Sequence, residues 1–459
     1  MMHETAAFVN DAQLRAVLGE TGLARVNAVA EAAATRGLPV WLVGGVVRDA
    51  LLVRPTDDLD FVVETDDFGR DAAALAHDLA ARFGGRVETH TAFGTAKWLP
   101  ADRGAHLDIV SARRETYAHP AALPTVAPGT LATDLARRDF TLNAMAISLA
   151  PHERGRLHDP LGGRADLDAG LLRVHHARSF TDDPTRLLRG ARFAARFGFR
   201  FADSTLATLA DALPAIERTT GERVRGELLA LLNEAKPSVG LGLLDRLGVL
   251  AAVSPAFTGW QPNADALDHA PGANARLWVL AAGIGTGRVR AWAARLLYPA
   301  GQAEAFAAFA LLAAEAWHAW PRYRLADALD RFDDAALYAL DALAGTAAHA
   351  RERLRDYRAR WRRFAPFTTG AHLRALGLPP GPCYGRLIAA ARRAWLDGTV
   401  HGEADERILV RQWIARGFCT DEHATDEHAT DEHATDEHAT DEHATDEHAT
   451  DEHAAPDRD

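Results

Sequence analysis

At 459 residues the chain is too long for one hydrophobic core, and 48% hydrophobic with 25% charged residues excludes a fibrous or wholly disordered protein. The net charge of -12 is concentrated at one end: residues 420–459 carry -15 and leave +3 on residues 1–419, nearly all of it Arg, since Lys occurs only at Lys97 and Lys236. No apolar run reaches the length of a membrane span, Met1–Thr5 lacks a signal-peptide pattern, and two cysteines, Cys383 and Cys419, make no disulfide framework, so a cytoplasmic protein without membrane contact is expected.

Residues 11–36 have the apolar spacing of a helix and dominate an N-terminal segment, 1–37. Pro39 to Val43 reads as a short strand, Gly44-Gly45 as a turn, and Val46 to Leu52 as a helix carrying Arg48. The glycines let backbone N–H groups approach phosphate oxygens closely, at a helix start that already favours anions. Asp58 to Val63 reads as a strand on which Asp58 and Asp60, two apart, share a face. Two such carboxylates can share Mg²⁺, a hard ion that takes oxygen ligands and substrate phosphates.

Asp67 to Phe83 is predicted helical with Leu75 and Leu79 inward, followed by strands over Arg86–His90, Thr95–Leu99 and His106–Ser111. Asp108 lies in the last of these, either completing a metal site or ending a strand. The stretch 38–150 thus reads as a small mixed-sheet head. Near its end, Arg137-Arg138-Asp139-Phe140-Thr141-Leu142-Asn143-Ala144 is charged where a core should form. One reading is a helix start capped by Asp139 or Thr141. The other gives Arg138 a phosphate or the growing end, and Asp139 and Asn143 the sugar hydroxyls.

Asp159 to Leu167, with Pro160, Gly162 and Gly163, reads as a hinge into a helical neck, 151–233, with Asp159 fixing the joint. Helices are expected over Asp183–Phe197, Asp203–Leu213 and Gly221–Asn233, with turn signals at Gly198 and Pro214. Asp183, Arg186, Arg189 and Arg192 form a slowly rotating polar stripe, opposite Leu187, Leu188, Ala191, Phe193 and Ala194. Surface ion pairs would explain the stripe. So would base reading: a carboxylate accepts from an exocyclic amino group while a guanidinium donates to a ring acceptor, which admits cytosine and adenine and rejects uracil and guanine. Residues 234–419 remain helical, and Arg351 to Arg363, with seven Arg, is either a solvated face or a phosphate contact. Thr-Asp-Glu-His-Ala then repeats seven times from Thr420 to Ala454, with no large apolar side chain to bury, and residues 420–459 read as a disordered acidic appendage.

The ordered motifs resemble those of the bacterial-type (class II) tRNA nucleotidyltransferases and their poly(A) polymerase relatives. They are Gly44-Gly45-x-x-Arg48-Asp49 with Asp58-x-Asp60, Arg137 to Ala144, Asp159-Pro160-x-Gly162-Gly163-x-x-Asp166-Leu167, Asp182-Asp183-Pro184-Thr185-Arg186, and Glu222-Arg223-Val224. The similarity is strong over about residues 38–230 and weaker to about 415. It implies an α+β fold: a mixed-sheet nucleotidyltransferase head, then an all-α neck and body. It also implies that Asp58 and Asp60 bind catalytic Mg²⁺, with Asp108 beside them as a third catalytic carboxylate candidate. By the same resemblance Gly45, Arg48 and Arg138 contact the nucleotide, next to Gly44, Asp139 and Asn143, and Asp183, Arg186, Arg189 and Arg192 form a protein template.

The implied reaction adds C and/or A from CTP or ATP to the 3′ end of tRNA, without a nucleic-acid template and without an obligate protein partner. The alternatives are a poly(A) polymerase and an inactive RNA-binding protein on the same scaffold. Three departures bear on this. Asp182 stands where the family usually has Glu. Residues 61–98 lack the Gly-basic-basic-Phe signature of the poly(A) branch, which favours tRNA. The C-terminal region has no His-Asp pair of a phosphohydrolase. Whether CCA, CC only or A only is added stays open. By resemblance it is governed by the loop from about Glu115 to Ala136, whose Ala121-Ala122-Leu123-Pro124 is similar to loops of A-adding members.

Overall fold

The computed structural model describes residues 7–90, 93–102 and 106–419. The Thr-Asp-Glu-His-Ala repeat, with the disorder expected of it, lies outside the described residues. The chain divides into two compact units, 1–363 and 364–459, so the boundary falls inside the segment 234–419 read from sequence as one body.

The first unit opens with α1 (Asp11–Thr35), started by a reciprocal capping box between Asn10 and Gln13. Its expected regularity is broken at Gly19, where φ 68° and ψ -179° are non-helical. Then come β1 (Val40–Val43), α2 (Gly45–Leu51), β2 (Leu59–Val63), α3 (Arg70–Phe83), β3 (Arg86–His90), β4 (Thr95–Leu99) and β5 (Leu107–Ser111). The strands predicted from sequence match closely, with β1, β2 and β5 each starting one residue later than predicted, after Pro39, Asp58 and His106. Where the sequence showed only a loop from about Glu115 to Ala136, a hairpin of β6 (Arg113–Thr116) and β7 (Thr125–Pro128) stands, followed by α4 (Leu131–Ala136). Its short, half-exposed strands carry too little alternation to be read as such. β8 (Ala146–Ser148) and β9 (Leu157–His158) complete the head.

Seven strands form one mixed sheet in the order β3-β4-β5-β2-β1-β8-β9. Only β2 and β5 run parallel, and their register sets Asp60 against Asp108. On the next strand Lys97 pairs with Asp108, so Lys97, Asp108 and Asp60 form one row. β1 is a short Val-Trp-Leu-Val run with every residue buried. Trp41, Val43 and Val62 pack with Leu135 of α4 and Ala146 of β8 into one apolar cluster. α3 lies over β3, β4 and β5 with Leu75 and Leu79 fully buried, as its spacing predicted.

The joint follows. α5 (Gly163–Asp168) is started by Asp159, whose carboxylate accepts from the N–H groups of Gly163 (2.7 Å) and Arg164 (2.9 Å), the fixing role expected of it. β10 (Leu171–Leu172) pairs in parallel with β11 (Arg200–Phe201), which lies beyond α6 (Ser179–Asp182) and α7 (Thr185–Phe197). Gly198 closes α7 in the left-handed region at φ 73°. The predicted helix at 203–213 is two, α8 (Asp203–Leu206) and α9 (Leu209–Arg218). Pro214 is a correction: it sits inside α9 rather than ending it, a position that costs the helix one N–H donor. α10 (Gly221–Leu232) then packs on α7.

Head and neck are stitched by aromatic rings. Phe140 of the charged motif contacts Phe180, Phe193 and Phe201, with centroids 5.9 to 6.5 Å apart, and is fully buried. So the stretch that looked like a capped helix start is a 3₁₀ turn, Thr141–Asn143, wedged under the neck, with no side-chain cap. Thr141 Oγ1 instead donates to Asp166, which also holds Arg173. Further helices finish this unit, among them Gly272–Ile284 and Ala300–Ala314, which pack on each other around Trp278, Phe306 and Phe309.

In the second unit, helices Gly370–Ala375, Pro382–Leu396 and Glu403–Ala415 enclose a small core of Leu373, Leu387, Ala391 and Val410. Cys383 and Cys419, expected from sequence to make no disulfide framework, are a correction: they are joined by a disulfide, with Cα atoms 5.5 Å apart. Their separation of 36 residues hides a proximity that only helix packing creates. No helix among the described residues is long and apolar enough to cross a membrane.

The joint yields a stability test. A Cβ on Gly163 would lie 2.2 Å from the Thr141 carbonyl oxygen, whereas one on Gly226 of α10 meets nothing within 4 Å. Gly163→Ala is expected to cost about 1–3 kcal/mol by overpacking. Gly226→Ala is expected to be neutral or to stabilise by up to about 1 kcal/mol through helix propensity. Denaturant midpoints of the two variants check the contrast; equal midpoints would contradict the packing at the joint.

Candidate nucleotide site

A cleft of about 540 Å³ opens between the head and the neck. The head contributes Gly44 from the β1–α2 turn, Gly45 and Arg48 from α2, Asp58 from just before β2 and Asp60 from within it, and Arg138, Asp139 and Asn143 from the joint. The neck contributes Asp183, Arg186, Arg189 and Arg192. Residues more than a hundred positions apart therefore share one wall-to-wall space, and every residue singled out by sequence lines it except Asp108.

The turn is glycine for a steric reason. Gly44 has φ 76°, and a Cβ there would sit 2.8 Å from Arg138 Nη1 and 3.5 Å from Asp60 Oδ2. A Cβ on Gly45 would approach Arg48 Nη2 (3.5 Å) and Asp58 Oδ2 (3.7 Å). The two carboxylates and two guanidinium groups thus crowd around a backbone that no side chain covers. Burial, with Asp58 close by, pushes the Asp60 carboxyl up to about 7, against the opposing pull of Arg138. Asp108 adds to the push but does not line the cleft. Lys97 Nζ is 3.4 Å from its Oδ1, an atom that is buried and makes no hydrogen bond, and His106 Nε2 is 3.8 Å from Oδ2. Among the described residues no three His, Cys, Asp or Glu side chains group around a possible metal position. What the site offers a cation is two carboxylates on one face, with a third one strand away held by a lysine.

The remaining polar residues form a network. Arg48 is 4% exposed, lies over the rings of Phe193 and Phe197, and donates to Asp49 and to Asn143 Oδ1 (2.8 Å). Asn143 Nδ2 donates to Asp139 Oδ1 (2.9 Å), and Arg189 Nη1 reaches Asp139 Oδ2 at 3.4 Å. Burial alone would raise the Asp139 carboxyl, but Arg189, Asn143 and the Phe140 N–H overcome it and hold it below the ordinary carboxylate range. Across the neck, Arg189 pairs with Glu227 (2.7 Å) and Arg196 with Glu234 (2.6 Å). Arg186 is buried in the joint, donating to Ser179 Oγ and, at 2.7 Å, to the Arg137 carbonyl. The guanidinium facing Asp183 is that of Arg223, 2.7 Å away, not that of Arg186. Arg192 is held least: its Nε is buried without a hydrogen bond and its nearest acid, Glu227, is 3.9 Å away.

Sequence reasoning passed over Glu115, Tyr117, Arg137, Phe193, Arg196 and Glu227, which also line the cleft. The acids carried a signal. Glu227 and Glu234 are seven residues apart, as are Arg189 and Arg196, which is the pattern of two facing helices.

Residues 40–173 match a family model described as the poly A polymerase head domain, and residues 198–260 one described as a probable RNA and SrmB binding site of polymerase A. An A-adding tRNA nucleotidyltransferase from Halalkalibacterium halodurans is 46% identical over 227 residues, 49% of this chain and 52% of the relative. The chain thus spans about half the length of that relative, and 24% of an A-adding enzyme from Geobacter sulfurreducens at 39% identity. A CC-adding tRNA nucleotidyltransferase from Deinococcus radiodurans is 36% identical over 375 residues, covering 81% of this chain and 89% of its own length. The solved apo form II of a CCA-adding enzyme superposes with a TM-score of 0.73 at 26% identity, over 88% of this chain and 99% of that one. With a head, neck and body in the same order, and one relative matched along nearly its whole length, this chain belongs to the tRNA nucleotidyltransferase family.

Proposed function

We propose that the protein adds C and/or A from CTP or ATP to the 3′ hydroxyl of tRNA, choosing the base with its own side chains and releasing pyrophosphate. The observation that carries this is the cleft, where an uncovered glycine turn and two carboxylates of the head face an Asp and Arg stripe of the neck. The printed activities of the A-adding and CC-adding relatives support the same reading. A poly(A) polymerase is the second reading, supported by the family models on both segments. We place the enzyme in the cytoplasm, with its tRNA substrate.

In this reading Asp58 and Asp60 hold Mg²⁺ together with the substrate phosphates. The fit rests on two carboxylates lining the same cleft wall, on the Asp60 carboxyl, raised by burial and then by its neighbour Asp58 against the pull of Arg138, and on acceptor-only oxygen ligands that suit a hard cation. When bound, the metal supplies activation of the 3′ hydroxyl and charge neutralisation on the leaving group. The chain's own groups do the rest. Gly44 and Gly45 leave room for phosphate at the backbone. Arg138, partly held by Asp134 at 3.0 Å, points a second nitrogen toward the turn. Asp139 and Asn143, fixed to each other, offer acceptor and donor groups to the ribose. Asp183 with Arg186, Arg189 and Arg192 lies where a base would meet the neck, and Arg192, the least committed of the arginines, is the donor freest to turn toward it. Asp108, tied to Lys97, tunes Asp60 through the sheet register.

Two outcomes follow for the carboxylates. Asp58→Asn or Asp60→Asn is expected to lower transfer by more than about a hundredfold, as removal of a main electrostatic contact does; labelled-nucleotide incorporation checks it. The raised Asp60 pKa also makes a metal-free stability prediction. An acid whose folded pKa lies above its unfolded value near 4 destabilises the fold as it ionises, so the cost grows from about pH 4 to about pH 7 and is constant above. Asp60→Asn should therefore melt higher than the parent protein at pH 8 in chelator, with the gap closing by pH 4. A gap independent of pH would contradict it.

The reaction itself is tested with tRNA ending at the discriminator base, at C and at CC, each with CTP, ATP or both. A complete enzyme extends all three to CCA, a CC-adding enzyme ignores the CC-ended substrate, and an A-adding enzyme uses only that one with ATP. Long A tails on unrelated RNA would instead support the polymerase reading.

A further inference from the structure

We propose that Cys383 and Cys419 are a thiol–disulfide switch on the second unit, closed by low-molecular-weight disulfides and opened by low-molecular-weight thiols. Closed, the bond staples that unit. Open, it leaves the unit to its apolar core and polar anchors. All residues lining the nucleotide cleft belong to the first unit, so the couple lies outside the catalytic machinery.

Helix packing, besides the bond itself, brings the two sulfurs together. Cys383 is the second residue of the helix Pro382–Leu396, and Cys419 follows the helix Glu403–Ala415. That second helix ends in a Schellman turn. Gly417 is left-handed at φ 80°, the Phe418 N–H donates to the Trp413 carbonyl at 3.0 Å, and the Gly417 N–H donates to the Ile414 carbonyl at 3.1 Å. The Phe418 ring stacks on Trp413, with centroids 5.8 Å apart. Both cysteines pack against the core of Leu373, Leu387, Ala391 and Val410, as small apolar side chains do. The reduced sulfurs therefore stay neighbours, which makes closure a local step.

Both cysteines are half-buried, so a small thiol can reach them. Cys383 lies in the first turn of a 15-residue helix that has no acid and no side-chain cap there, and the positive end of the helix dipole favours an anionic sulfur. In closure the Cys383 thiolate attacks one sulfur of a disulfide RSSR and releases one RSH. The Cys419 thiolate then displaces the second RSH from the mixed disulfide. The two protein thiols lose two electrons, one RSSR is reduced to two RSH, and the two protein protons pass to the leaving thiolates. Opening is the reverse. The bond spans a sequence separation of 36 residues and encloses Leu387, Ala391 and Val410 of the core, so it restrains the unfolded form of the segment that the core holds. In the cytoplasm, where the functional reading above places the protein, a bond of this kind is usually transient or redox-sensing.

The test equilibrates the full chain with reduced and oxidised glutathione, traps the thiols by alkylation, counts them by mass, and cuts the same samples briefly with trypsin. The thiol count should pass from none to both cysteines as the reduced share rises. Cleavage within residues 364–419 should be at least about tenfold faster in the open form. Cys383→Ser and Cys419→Ser should be cut at the open-form rate in both buffers; if either fails to fold, the parent protein in excess reduced glutathione carries the comparison. In the open form Cys383 should be alkylated faster than Cys419. A bond that stays closed in excess reduced glutathione, one that never forms in excess oxidised glutathione, or equal cleavage of the two forms overturns the proposal. Faster alkylation of Cys419 overturns Cys383 as the attacking sulfur. None of these readouts uses nucleotide transfer, so failure of the functional reading shows separately, as a protein that adds no nucleotide to any tRNA end.

Discussion

The site depends on how desolvated positive charge is compensated at the junction of head and neck. Arg48, Arg186 and Arg189 are buried or half-buried there, and each is neutralised or bonded by groups from another part of the chain. Arg48 is satisfied by Asp49 and Asn143, Arg186 by a hydroxyl and the Arg137 carbonyl, and Arg189 by Asp139 and Glu227. Removing Asp49, Asp139 or Glu227 would leave a desolvated guanidinium short of counter-charge, which is costly. The network therefore fixes the spacing between the carboxylates of the head and the polar stripe of the neck. Phe140 and its ring partners supply the apolar adhesive, and the charge pairs supply the register.

The two halves of the cleft are built by different logic. In the head, burial and the neighbouring Asp58 raise the Asp60 carboxyl, so Asp60 is poised to bind a cation or a proton. In the neck, nearly every charge has a partner, so the side chains are held in place before any ligand arrives. Chemistry calls for a site that is incomplete until substrate and metal enter, whereas selection calls for donors and acceptors that do not move toward a wrong base. The pairing of α7 with α10 provides that rigidity. Arg192, with only a distant acid, is the exception.

The second unit is small and is stitched by the Cys383–Cys419 bond and by Glu406. That carboxylate is fully buried, accepts from the N–H groups of Phe367 and Thr368 and from the Trp395 indole, and is held below its ordinary range by those bonds in spite of its burial. A core of four fully buried apolar side chains is modest, and these polar anchors make up part of the difference.

The sequence by itself determined the first strands and helices of the head and those cleft residues that fall in its ordered motifs. Strands β1 to β5 and helix α7 follow from apolar periodicity, and the glycine turn and paired aspartates from residue type and spacing, because these are properties of neighbours along the chain. It did not determine partners. The hairpin of β6 and β7 was hidden because its strands are short and half-exposed. Pro214 was misread because a helix can absorb one lost donor when packing holds it. Cys383 met Cys419, Asp60 met Asp108 and Asp183 met Arg223 only in the folded chain. Each of those pairings depends on strand register or helix docking, which arise from burial summed over many distant residues rather than from any local pattern.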